Sequence, residues 1–281
     1  MKKVIGTTVL LATGLIANGD IYLNSGVKSY SHSKTKVDGK TNSVGTSYQY
    51  KQNFINLNYT KDMVNREHPK TKKSIEQLNV KKYNFNYKYT INDALRVKAS
   101  YIKILDNLAP TDQGKVYGLG VKYNFMKGLG TSFDLYKSDY KTFDVNQYDF
   151  SIFKGFKIGD IQSKFTLLVK KIEIDGEKYA GYSFQEKDYL TTAIKLNGSY
   201  NGYVGGLATF FGKRAFTILK DGAKVQHHAM EQDKTYMLSF GKKFQNFDLI
   251  ASYSFQNGKE LPENQEDVDT KITSILLKYK F

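Results

Sequence analysis

From Asp20 onward, apolar and polar residues alternate with a period of two, in blocks of about 9 to 15 residues separated by turn signals. In the last block Thr273, Ile275, Leu277, Tyr279 and Phe281 fall on one face, and Ser274, Leu276, Lys278 and Lys280 on the other. Tyr117, Leu119, Val121, Tyr123 and Phe125 likewise oppose Gly118, Gly120, Lys122 and Asn124, and Tyr83, Phe85, Tyr87 and Tyr89 oppose Lys82, Asn84, Asn86 and Lys88. Successive side chains of a strand point to opposite faces, so each block predicts a strand with one apolar and one polar side. No helical period competes with this rhythm.

The connections sort by length. Short ones fall near 91–94, 126–128, 157–160, 200–202 and 245–246, and longer polar ones near 61–73, 106–114, 175–187, 220–234 and 257–269. Alternating short turns and long loops predict an up-and-down barrel with its turns at one end and its loops at the other. Counted back from Phe281, strands are predicted over 270–281, 246–257, 234–244, 203–217, 188–199, 161–175, 145–157, 129–141, 115–125, 95–105 and 76–90. A single strand over Ser43 to Asp62 makes the total odd, whereas a tight turn near Gln52 and Asn53 splits it. The expected fold is all-β, a transmembrane antiparallel up-and-down β-barrel of about 14 strands, with 12 as the alternative.

Composition agrees. Mean hydropathy is −0.50, and beyond the first segment no stretch approaches the roughly 20 apolar residues of a spanning helix, so any membrane crossing is made by strands. The 22 Tyr, 18 Phe and 23 Gly against 3 Pro suit twisted, aromatic-rich strands. With no cysteine, disulfides, thiolate metal sites and cysteine nucleophiles are excluded. At the start, Lys2 and Lys3 precede an apolar run from Val4 to Ile16, and Ala17, Asn18 and Gly19 supply small residues ahead of Asp20. This is the pattern of a signal peptide over residues 1–19, leaving 20–281 as the barrel.

The signal peptide, the strand rhythm and the ending Ile275, Leu277, Tyr279, Phe281 resemble Gram-negative outer-membrane β-barrel proteins of porin-like size, without the motif of any particular family. That resemblance implies export to the cell outer membrane, contact with its lipid and lipopolysaccharide, and insertion by the barrel-assembly machinery. Ile275, Leu277, Tyr279 and Phe281 would then be the C-terminal assembly signal, its terminal aromatic read during insertion. The chain departs from the usual aromatic girdle in having no Trp, which leaves Tyr, with its apolar ring and polar tip, to occupy the membrane interface.

The formal charge of +15 calls for an anionic partner. If the apolar faces meet lipid, the lumen is lined by Lys28, Lys82, Lys88, Arg96, Lys98, Lys122, Lys164, Lys170, Lys195 and Arg214. Lys51, Lys243, Lys278 and Lys280 also fall on the inward face, but near strand ends, where solvent or lipid phosphate serves them equally. Asp134, Asp149 and Asp248 are the inward acids. A roughly four-to-one basic excess in a low-dielectric wall concentrates anions and repels cations. The expected function is therefore a porin for passive diffusion of small hydrophilic solutes, anionic or polar, with a preference for anions. A non-pore barrel acting as surface receptor, adhesin or structural protein is the alternative, and a barrel-rim hydrolase a more distant one.

Other chemistry finds little support. His227 and His228, with Glu231 and Asp233, sit in a long polar connection and read as a solvated loop rather than a metal site. Ser31 and Ser33 flank His32, but adjacent strand residues point to opposite faces and make no dyad. Gly118/Gly120 and Gly205/Gly206 lie in strands, where glycine serves twist and packing, not phosphate binding. Asn197-Gly198-Ser199 is a chance match to a glycosylation acceptor. Glu260, Glu263, Glu266, Asp267 and Asp269 read as a hydrated acidic loop. No catalytic residue, metal or cofactor is called for, and the scattered basic residues match no nucleic-acid-binding motif.

Overall fold

The computed structural model describes residues 18–281 apart from 108–109, 180–181, 228 and 262–263, so most of the predicted signal peptide lies outside the described residues. Its strands are β1 (Asn18–Ser31), β2 (Lys36–Tyr50), β3 (Asn53–Glu67), β4 (Ser74–Thr90), β5 (Leu95–Asp106), β6 (Lys115–Met126), β7 (Leu129–Asp139), β8 (Asp144–Ile158) and β9 (Ile161–Asp175), then the short β10 (Lys178–Tyr179) and β11 (Tyr182–Ser183), β12 (Asp188–Tyr200), β13 (Tyr203–Arg214), the short β14 (Ile218–Leu219) and β15 (Lys224–Val225), β16 (Met230–Lys243), β17 (Phe247–Glu260) and β18 (Gln265–Lys280).

Among the described residues, fourteen of these form one closed antiparallel barrel in chain order, while β10–β11 and β14–β15 are separate two-stranded hairpins. The ring closes between the first and last strands, with Leu23 opposite Leu277. Gly19 and Phe281 exchange both backbone hydrogen bonds at 3.1 Å. The 14-strand count holds because Tyr50 pairs with Asn53 across a two-residue turn at Lys51 and Gln52, the first in the left-handed region at φ 48°.

One face of the wall suits lipid. Leu23, Leu119, Leu207, Leu238, Phe240 and Ile275 are more than half exposed on the outside, and aromatic pairs tie neighbouring strands there. Tyr59 stands opposite Tyr83 with ring centroids 5.2 Å apart, and Tyr101 opposite Tyr117 at 5.4 Å. Such cross-strand pairs contribute roughly 0.5–1 kcal/mol each.

Toward the loop end the phase of the alternation inverts. In β4 the outward Tyr83, Phe85 and Tyr89 give way to exposed Lys81, while the inward Lys82, Asn84 and Asn86 give way to buried Val80 and Leu78. In β9 outward Phe165 and Leu167 are succeeded by exposed Lys171, and inward Lys170 by buried Ile172 and Ile174. The strands thus run past the lipid belt into a section with a water-facing exterior and an apolar interior. This corrects the predicted loops. Most of 61–73 and 257–269, and the second part of 220–234, are strand, leaving connections at 68–73, 261–264 and 215–229. Asp267 and Asp269 accordingly lie on β18 rather than in a loop.

Candidate functional site

The barrel interior has two compartments. At the loop end, Val64, Val80, Ile102, Ile104, Val116, Val145 and Ile172 project inward and are at most 1% exposed. What they pack against is the connection 215–229, which folds into the barrel instead of standing in solvent. β13 stops at Arg214 after Gly212 (φ 89°), and Phe216 at φ 51° turns the chain inward. Ala215, Phe216, Ile218 and Val225 are then buried at 1% exposure or less. Two other connections close over them. Tyr140 and Phe143 lie tilted against each other 4.8 Å apart, Phe143 lies 4.8 Å from Phe216, and Phe184 meets Phe143 at 5.2 Å.

The inward hairpin β14–β15 is anchored to the wall by polar groups. Gln147 donates to Ile218 O at 2.9 Å and accepts from Ile218 N at 2.7 Å; Lys170 donates to the same carbonyl at 2.9 Å. Asn84 donates to Gly222 O at 2.8 Å. These contacts correct the reading of His227 as solvated: it is fully buried, with Nε2 3.8 Å from Asp106 Oδ2. His228 lies outside the described residues, and Glu231 and Asp233 belong to β16. Among the described residues no group of three or more His, Asp and Glu is placed to hold a metal.

Elsewhere the interior is polar, from the short turns up to the wall beside the hairpin, and here the structure places the predicted basic residues. Lys28 and Lys82 share Asp62 at 2.7 and 2.5 Å, Lys98 pairs with Asp134 at 2.6 Å, and Lys170 pairs with Asp149. Lys278 and Lys280 reach Asp20 at 3.0 Å and Asp248 at 2.5 Å. Arg214, 1% exposed, donates to Thr235 and lies over the Phe210 ring at 4.9 Å. Lys51 and Lys243 are exposed at the turns. Pairing therefore cancels much of the expected excess, and Asp20, Asp62 and the hairpin's Asp221 are interior acids beyond those expected from the alternation.

Glycine makes room for one of these pairs: a Cβ on Gly120 would collide with the Asp134 carboxylate and crowd the Lys98 chain, which agrees with a packing role. The Lys170–Asp149 pair is buried, so its halves are not equivalent. Asp149→Ala is expected to destabilise by about 3–5 kcal/mol, because it strands a buried ammonium, whereas Asp149→Leu with Lys170→Met should cost far less. Chemical denaturation of the refolded variants measures both, and equal losses would contradict this assignment.

Four of the predicted lumen cations have no close acidic partner. Among the described residues, Arg96, Lys122, Lys164 and Lys195 have no carboxylate within ion-pair distance; Arg96 Nε donates to Thr90 at 3.0 Å. Lys122 and Lys164 lie over the Phe153 ring at 4.4 and 4.6 Å, and Lys195 over Phe210 at 5.7 Å. Lys122, Lys164, Asn124, Lys127 and Phe153 line a cavity of about 630 Å³ at the short-turn end. Above it hangs Asp221, its side chain 60% exposed and its Oδ2 4.0 Å from Lys88 Nζ. Enclosure by the wall opposes its ionisation, but Lys98, Lys88, Lys195 and Lys164 outweigh that and hold the carboxyl below its ordinary range.

His32 and the serine that follows it take separate partners. His32 Nδ1 lies 3.2 Å from the Asp267 carbonyl, while Ser33 donates to Glu260 at 2.8 Å. Ile275, Leu277, Tyr279 and Phe281 all point outward and are between 44% and 58% exposed.

A closed antiparallel ring of fourteen strands with a lipid-suited exterior defines the class: this is the fold of outer-membrane β-barrel proteins. Among solved structures it is similar to the CymD monoaromatic hydrocarbon channel (TM-score 0.59, 10% identity, 94% of this chain and 88% of that one). It is also similar to the Ralstonia pickettii toluene transporter TbuX (TM-score 0.56, 10% identity, 93% and 88%) and to a bacterial polysaccharide outer membrane secretin (TM-score 0.59, 6% identity, 94% and 98%). No protein-family model matches the sequence, and no curated protein matches it either.

Proposed function

We propose that this chain is an outer-membrane channel that admits small hydrophilic anions, with its short turns toward the periplasm and its loop end occluded by the inward hairpin. The observation that carries the reading is the set of cations without a close acidic partner, Arg96, Lys122, Lys164 and Lys195, in the open part of the lumen. Within a low-dielectric wall such charge raises local anion concentration and excludes cations. The similar barrels named as a channel and a transporter are compatible with this role, their likeness being one of fold. No catalytic residue is needed.

Charge reversal tests it. In planar bilayers under a KCl gradient, Lys122→Glu with Lys164→Glu is expected to shift the reversal potential from the anion side toward the cation side. An unshifted potential would show that these lysines do not select. A second reading, a non-conducting surface or structural barrel, is favoured by the apolar core that fills the loop-end half; absence of conductance in every variant would establish it.

A further inference from the structure

The tip of the inward hairpin is built to present one carboxylate. Lys220, Asp221 and Gly222 are consecutively left-handed, at φ 53°, 55° and 84°, a conformation that non-glycine residues hold only where the surroundings impose it. What imposes it is anchoring on either side. Ile218 O is held by Lys170 and Gln147, and Gly222 O by Asn84, while Gly222 lies so close to Ser100 and Tyr136 that no side chain fits there. Among the described residues Asp221 itself makes no close bond: its nearest cation is 4.0 Å away and most of its side chain is open to the lumen.

The cations around it are unevenly committed. Lys98 already holds Asp134 at 2.6 Å. Lys88 comes within 4.0 Å of Asp221, and among the described residues Lys164 and Lys195 have no carboxylate within ion-pair distance, though both act on Asp221 at longer range. We propose that Lys88, Lys164 and Lys195 form a binding site for small dicarboxylates, and that Asp221 occupies it as a tethered stand-in for a solute carboxylate. The inference deepens the channel reading, on which it rests for its solute. Three ammonium groups that act on one loosely held carboxylate, one of them at 4.0 Å and two at longer range, leave net positive charge that a second carboxylate on the same solute satisfies and a monovalent ion does not. Displacing Asp221 would also free the hairpin tip from its electrostatic hold on the wall.

Titration calorimetry of the refolded full chain with disodium succinate, and separately with inorganic phosphate, tests the site. Asp221→Asn keeps the shape of the tip but removes the competitor, so it should bind succinate about tenfold more tightly than the unaltered chain. Adding Lys88→Gln, Lys164→Gln and Lys195→Gln to Asp221→Asn should abolish that binding. Equal affinity with and without Asp221, no binding to either protein, or binding that survives loss of the lysines would each overturn the proposal. Phosphate bound as tightly as succinate by Asp221→Asn would overturn the assignment to dicarboxylates. A chain that binds succinate in the expected pattern yet carries no current keeps the site and refutes the channel. A chain that conducts anions without Asp221-dependent binding does the reverse.

Discussion

Replacing residues 216–227 by a short Gly/Ser linker should convert a barrel of small, infrequent conductance steps into one with steps severalfold larger. The fourteen wall strands close on one another through their own backbone pairing, so the ring does not depend on the hairpin for its continuity. What the hairpin supplies is the filling of the loop-end half, where Phe216, Ile218 and Val225 meet Val80, Ile102, Ile104 and Ile172. Its removal leaves those inward apolar residues lining a passage instead of a core, at a cost in stability of roughly 25 cal/mol per Å² of apolar surface newly exposed to water. Single-channel recording measures the change. Steps of unchanged size would mean that the hairpin does not occlude the conducting path.

Acidification should loosen the same plug. Burial, with Lys220, Lys28 and Lys82 nearby, pushes the Lys224 ammonium down to about 7 from 10.5. Burial and then Lys82 push His227 down to about 3 from 6.5, and the Asp106 carboxylate 3.8 Å away does not offset this. A base whose pKa is depressed in the docked state binds protons more readily when withdrawn. Docking therefore gains stability as pH rises, across 7 to 10.5 for Lys224 and across 3 to 6.5 for His227.

Asp221 acts in the same direction: its carboxyl, held below the ordinary range, contributes to docking at neutral pH and loses that contribution in acid. A tenfold difference in proton affinity between the docked and withdrawn hairpin corresponds to about 1.4 kcal/mol of docking free energy at most. Conductance of the intact chain should therefore rise as pH falls from about 8 to about 4, steepest where histidine titrates on withdrawal. His227→Leu should flatten that acid limb. Conductance that falls or stays level in acid would contradict the docking assignment.

The wall was legible in the sequence because a closed barrel imposes a single period, and Leu119, Val121 and Tyr123 display it without reference to any partner strand. The short turns were legible for a related reason, since two-residue connections such as Lys127-Gly128 and Asn201-Gly202 interrupt the alternation sharply. Inversion of the pattern hid the rest. Val64 is apolar on the inward face, so a reading that equates apolar with outward ends the strand there and begins a loop. Asp62 fell into that supposed loop, and its link to Lys28 and Lys82 spans non-neighbouring strands; only the register of the folded sheet brings them together. Asp221 and His227 were missed as interior groups because nothing local distinguishes a connection that turns inward from one that stays in water. The run Ala215-Phe216-Thr217-Ile218-Leu219, largely apolar, was the available sign, and its first three residues were absorbed into the preceding strand.

Whether the wall, freed of its plug, selects anions is measured most directly by the reversal potential of the hairpin-replaced chain under a KCl gradient, because Arg96, Lys122, Lys164 and Lys195 remain while Asp221 is gone. A potential toward the chloride equilibrium value is predicted; one toward the potassium value, or none distinguishable from zero, would contradict it.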